Sequence, residues 1–276
     1  MERTPYQLNF SVSHVPAWAC PVCREGRLTL GKDSLISKEN AESRRDHDHD
    51  AWDLDWIRLV FSCVFHCSNE KCKQPVACSG SGSVESNDYI DDDGDWAQDI
   101  EEWYTPQFFH PALKLMDLPE SCPPKVVEYL CESFASVYAN PSAALNSART
   151  ALEALMTSLG VKRFSIGNGK KRSIPLHQRI QLLPEKYKDQ REMLVAVKWL
   201  GNVGSHDGDK ASTADVMLAY DMLEHVLSEI YEERSKKLRA LAASVNRRRG
   251  LAKSPAKKKT KPRKAKVVPA ADEVLA

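Results

Sequence analysis

The chain has 276 residues, 28% charged and 42% hydrophobic, with a formal net charge of +1 at pH 7. That near-neutral total conceals a split. From residue 235 onward there are 14 Lys and Arg against 2 Asp and Glu, which leaves 25 against 36 in the first 234 residues. No run approaches the roughly 18 apolar residues of a membrane span. The opening MERTPYQLNF lacks a basic-then-apolar leader, and eight cysteines without an export signal read as reduced thiols or metal ligands in a cytoplasmic protein.

Six of the eight cysteines fall within residues 1–82. There, WIRLVFSCVFHC alternates, placing Ile57, Leu59, Phe61, Cys63, Phe65 and Cys67 on one face of an expected strand. KQPVACSGSG reads as a returning strand ended by its glycines, and RRDHDHDAWDLDW as part of a polar insertion. Residues 85–102 are acidic and poor in apolar side chains, which predicts a solvated linker. From Pro123 the spacing turns helical: Val127, Leu130, Phe134 and Val137, then Leu145, Ala148, Leu152, Leu155 and Leu159 behind an Asn140–Pro141 start. Shorter helical stretches follow over residues 175–183 and 185–206. A long last helix opens at Ser212, with Asp215 completing a capping box, and extends toward Leu241. Beyond Arg247 the Lys, Arg, Pro and Ala composition cannot bury a core.

Two thiol pairs, Cys20-Pro-Val-Cys23 and Cys67-x4-Cys72, can supply a tetrahedral zinc site that ties together a region too small for a core of its own. His66, Cys63 and Cys78 are substitute ligands, although the strand parity of Cys63 favours packing. Cys122 and Cys131 read as packing residues. His47 and His49 read as part of a solvated loop. Tyr104, Phe108 and Phe109 read as pinning an extended segment onto the helices. GNGKKRS lacks the spacing of a phosphate loop and reads as basic surface.

The run TPQFFHPALKLMDLPESCP, NPSAALNSARTALEALMTSLG, LHQRIQLLP and VKWLGNVGSHDG resembles the bacterial domain-of-unknown-function family numbered 4145, over residues 104–231. The cysteine hairpin ahead of it is similar to a segment many members carry. The family is grouped with HEPN-like helical domains, which recur in bacterial defence systems, often dimerise, and include metal-independent ribonucleases. The ribonuclease motif pairs an arginine with a polar residue and a histidine. Here Asn202 and His206 match the last two, while Trp199, Leu200 and Gly201 occupy the arginine positions and Lys198 lies one residue early. Arg149 is the replacement cation if its helix packs beside Gly201. Otherwise Arg149 and Glu153 form a helix salt bridge, and Asn202 and His206 seal a close crossing that the glycines permit.

The expected fold is α+β: a mainly α-helical HEPN-like bundle with a small N-terminal zinc-ribbon-like β-hairpin module. Its divisions are residues 1–84 (zinc module), 85–103 (acidic linker), 104–242 (helical domain) and 243–276 (disordered basic tail). The expected function is a non-catalytic or regulatory, nucleic-acid-associated binding protein of a defence-type system, homodimeric through the helices and holding zinc. Arg247, Arg248, Arg249, Lys257, Lys258, Lys259, Lys261, Arg263, Lys264 and Lys266 would contact phosphates without reading sequence. The alternatives are an endoribonuclease using His206, and an adaptor that assembles a defence-system protein partner.

Overall fold

In the computed structural model, which describes residues 1–90, 95–167, 169–203, 210–231 and 234–248, the alternating segment forms the strand that organises the N-terminal half. This is β3 (Arg58–Cys67), whose residues alternate between exposed and buried. Two short strands, β1 (Leu28–Leu30) and β2 (Ile36–Glu39), pair antiparallel along one edge of β3. On its other edge lies β4 (Pro75–Ile90), itself paired with β5 (Trp96–His110). A short helix, α1 (Ala41–Asp46), follows β2, capped by Asn40, whose side chain accepts the Ser43 N–H at 2.8 Å.

This five-stranded sheet corrects the expectation of a mainly α-helical chain with a small hairpin appended. It also corrects the linker, since residues 85–90 and 96–102 are strand, paired from Glu85 opposite Glu101 to Ile90 opposite Trp96. The reason is physical. A ladder is closed by backbone groups, so a ribbon solvated on both faces shows no apolar alternation to read. Nor do the glycines end β4. Gly80 lies inside it at a register shift, where a Cβ would overlap the Thr105 carbonyl oxygen and lie 2.9 Å from the Gln107 nitrogen. Glycine is what lets β5 approach there.

The helical half follows the sequence more closely. α2 (Pro124–Ser136) and α3 (Pro141–Ser158) pack on each other, and the Asn140 side chain caps α3 by accepting the Ala143 N–H at 2.9 Å. Gly160, with φ of +81°, closes that helix. An exposed hairpin of β6 (Phe164–Gly167) and β7 (Lys170–Ser173) leads to α4 (Leu176–Gln181) and α5 (Arg191–Val203). α6 (Thr213–Tyr231) starts at the expected capping box, with the Ser212 N–H donating to Asp215 at 2.8 Å and the Asp215 N–H to Ser212 Oγ at 3.2 Å. Ser133 of α2 donates to the Ala144 carbonyl of α3 and meets the Tyr220 hydroxyl of α6, both at 2.6 Å in the interior.

One apolar core runs through sheet and helices, from Phe10, Trp18 and Phe65 to Leu152 and Leu227, and residues Met1–Glu233 form a single unit. The region from Arg234 is a second unit. In it α7 (Arg234–Arg248) is helical, so the expected disordered tail does not begin at residue 243.

Candidate functional site

The first thiol pair sits in a tight turn before β1. The Ala19–Arg27 bridge closes this turn, with the Cys20 N–H donating to the Gly26 carbonyl at 2.9 Å. The second pair lies at the β3–β4 turn, closed by the Cys67 N–H to the Gln74 carbonyl at 3.0 Å. The sheet register joins them, because Leu28 of β1 stands opposite Cys67 of β3. The residue after each pair, Arg24 with φ of 64° and Lys73 with φ of 46°, takes the left-handed conformation that reverses the chain.

All four sulfurs, of Cys20, Cys23, Cys67 and Cys72, lie within 4.8 Å of one another, a group compatible with a metal site. Cys20 and Cys72 sulfurs are 3.8 Å apart, and those of Cys23 and Cys67 are 3.6 Å apart. Backbone N–H groups point at the sulfurs: Val22 to Cys20 at 3.4 Å, Gly26 to Cys23 at 3.5 Å and Asn69 to Cys67 at 3.4 Å. The Gly26 N–H, against an opposing effect of burial, lowers the Cys23 thiol to about 6. Burial instead raises Cys67 to about 12. A bound cation would reverse that, since metal coordination deprotonates a thiol. Gly26 was not legible as part of the site, although it follows the CPVC pair by three positions. A Cβ there would overlap the Cys67 sulfur.

The substitute ligands lie elsewhere. Cys63 and Cys78 face each other across β3 and β4 as buried thiols, and His66 is exposed, opposite Pro75. Cys122 is buried as expected, whereas Cys131 is exposed on α2, which corrects its reading as a packing residue. His47 pairs with Glu39 at 2.8 Å and its ring meets Trp52. Among the described residues the four cysteines are the one cluster suited to a metal. Tyr104 and Phe109 are buried within the sheet of which β5 is a strand, and Phe108 is exposed.

At the second candidate site, α3 and α5 cross closely. A Cβ on Gly201 would lie 2.9 Å from Arg149 Cβ and 3.3 Å from the Leu145 carbonyl oxygen. The Arg149 guanidinium donates to Asn202 Oδ1 across that crossing. Arg149 is therefore beside Gly201, and no ion pair joins it to Glu153 within 4 Å among the described residues. Gly204 and His206 lie outside the described residues. So does the basic run from Arg249, including Lys257, Lys258, Lys259, Lys261, Arg263, Lys264 and Lys266, while Arg247 and Arg248 end α7.

With this geometry in place, two family models match the chain. Residues 132–248 match the Domain of unknown function (DUF4145). Residues 8–109 match a different one, the Domain of unknown function (DUF8608), which takes in the sheet and all four clustered cysteines. The resemblance of the helical half thus starts at residue 132, and the residues around Tyr104 belong with the N-terminal match. No curated protein and no solved structure matches the chain. No helix among the described residues is long and apolar enough to cross a membrane.

Proposed function

We propose that the chain is a zinc-holding, nucleic-acid-associated binding protein that self-associates through an HEPN-like helical domain and serves a defence-type system in the cytoplasm. The four-sulfur cluster carries the zinc assignment. Tetrahedral coordination at a Zn–S length of about 2.3 Å puts neighbouring sulfurs about 3.8 Å apart, and two of the pairs stand at 3.8 and 3.6 Å. An all-thiolate closed set leaves no open position, so the metal would tie two turns together and perform no reaction. The two opposed turns support a zinc-ribbon-like module built into the larger sheet.

Charge supports the nucleic-acid reading. The segment RSKKLRALAASVNRR of α7 has six basic residues and no acidic one, and basic residues continue through Lys266 in the sequence. Point charges on flexible stems neutralise phosphates without discriminating bases. The test is a binding titration of the full-length protein on single- and double-stranded DNA and RNA at low and moderate salt. Changing Arg247, Arg248, Arg249, Lys257, Lys258 and Lys259 together to Gln should abolish most of the affinity and flatten its salt dependence. Unchanged affinity would overturn the reading.

One observation favours the ribonuclease alternative. Arg149 reaches Asn202, which puts a guanidinium beside the polar residue of the family motif. In such a mechanism neutral His206 would take the proton of an attacking 2′-hydroxyl and Arg149 would stabilise the phosphorane charge. RNA cleavage that is lost in both His206→Ala and Arg149→Gln would select this reading over binding alone.

A further inference from the structure

Beside the β6–β7 hairpin, residues of α3, α4 and α5 line a cleft of about 280 Å³. Its wall holds Arg149, Arg163, Arg179 and Lys198 against one carboxylate, Glu153. Lys198 is only 8% exposed. Among the described residues it has no ion pair, and its contact is the Trp199 ring, 3.0 Å from its Nζ to the ring centroid. Burial, and then the Arg149 guanidinium, push its ammonium below the ordinary lysine range. Arg179 is 2% exposed. Its terminal nitrogens are held by the Glu153 and Val161 carbonyls and Thr157 Oγ1, but its buried Nε has no partner. Two buried cations, Lys198 and Arg179, with the half-buried Arg149 and the exposed Arg163 beside them and one carboxylate among them, leave an excess of positive charge that an anion would offset.

A second cavity, of about 390 Å³, shares Glu153, Arg163 and Arg179 with this cleft and continues over Val126, Tyr129 and Ala154. The first space is cationic; the second offers apolar surface and the Tyr129 ring, over one face of which stands the ammonium of Lys125, paired with Glu128, at 4.9 Å. A phosphate dianion suits the first, because its oxygens accept from several guanidinium and ammonium donors at once. A planar base suits the second, against Tyr129. We infer that the two adjoining cavities bind a nucleoside monophosphate, with its phosphate among Arg163, Arg179 and Lys198 and its base beside Tyr129. The site belongs to the unit Met1–Glu233 and is independent of nucleic-acid binding by the basic C-terminal region. The same chemistry is presented by a free nucleotide and by the 5′-phosphorylated end of a strand.

Calorimetric titration of the full-length protein tests this with adenosine 5′-monophosphate, adenosine, inorganic phosphate, and a short oligonucleotide with and without a 5′-phosphate. The monophosphate should saturate at about one per chain and bind at least tenfold more tightly than adenosine. Lys198→Gln and Arg163→Gln should each weaken it tenfold or more. Arg163 is exposed, so its replacement keeps the test valid if the Lys198 variant folds poorly. The Lys257, Lys258 and Lys259 to Gln variant should leave the affinity unchanged. In that variant, tighter binding of the 5′-phosphorylated oligonucleotide than of both its unphosphorylated form and the free nucleotide would make strand ends the source, and no gain from the 5′-phosphate would make it the free nucleotide. Absence of saturable binding by every phosphorylated probe, or affinity untouched by Arg163→Gln, would overturn the inference.

Discussion

Arg3 and Glu224, 221 positions apart, form a largely buried ion pair that ties the N-terminal segment to α6. The Arg3 Nε also donates to the Leu115 carbonyl at 2.9 Å, and Glu224 accepts the Asp117 N–H at 2.6 Å. Asp221 also pairs with Arg3, and the Met1 ammonium with Glu224 at 3.1 Å, so removing either partner weakens the network and leaves the other charge one remaining ionic partner. Arg3→Met or Glu224→Gln should therefore cost about 1.5–3 kcal/mol in denaturant unfolding, the worth of a hydrogen bond to a charged group. A loss below about 1 kcal/mol would mean that water replaces the missing partner.

The same carboxylate gives a pH dependence. Burial pushes Glu224 up, but the Asp117 N–H and the Arg3 guanidinium outweigh it and hold the group below its ordinary 4.5. A lowered folded value means that this stabilisation is complete above about pH 4.5 and is lost as pH falls through the folded value. Acid unfolding should begin at higher pH in Arg3→Met, as followed by far-ultraviolet circular dichroism.

Metal removal is expected to act on the whole of Met1–Glu233. Protein purified without chelator should hold about one zinc per chain, and Cys67→Ser should release it. Because sheet and helices share one core, the melting temperature of the entire unit should fall. A helical signal that melts unchanged after metal loss would show that the two halves are energetically separate. Protein free of zinc by elemental analysis would remove the assignment itself.

Two glycines can be tested by enlargement. Gly201→Leu forces α3 and α5 apart at Arg149 and Leu145, and should destabilise by about 1–3 kcal/mol despite the helix propensity gained. Gly80→Val meets backbone at Thr105 and Gln107, which cannot rotate away. Its cost should be the larger of the two, read as a greater drop in the denaturation midpoint or as failure to yield soluble protein.

Where local chemistry leaves a local mark, the sequence alone was enough. The two-residue period of Leu59, Phe61, Cys63 and Phe65 defined β3, and Asn140 and Ser212 marked helix starts that their side-chain hydrogen bonds make. The four thiols were also legible, because few other roles call for two close cysteine pairs in a chain read as reduced. Their convergence was decided by the pairing of Leu28 with Cys67, which brings together Cys23 and Cys67, 44 positions apart. Tertiary structure alone decided the length of β4 and β5, whose outer ends are held by backbone ladders under acidic side chains. It also decided the cationic cleft, whose Arg149, Arg179 and Lys198 come from three helices and whose Arg163 precedes β6, with no common spacing. Periodicity and motifs record what neighbours in the chain do together. Strand register, helix crossings and buried charge pairs depend on groups that meet only after the chain has folded.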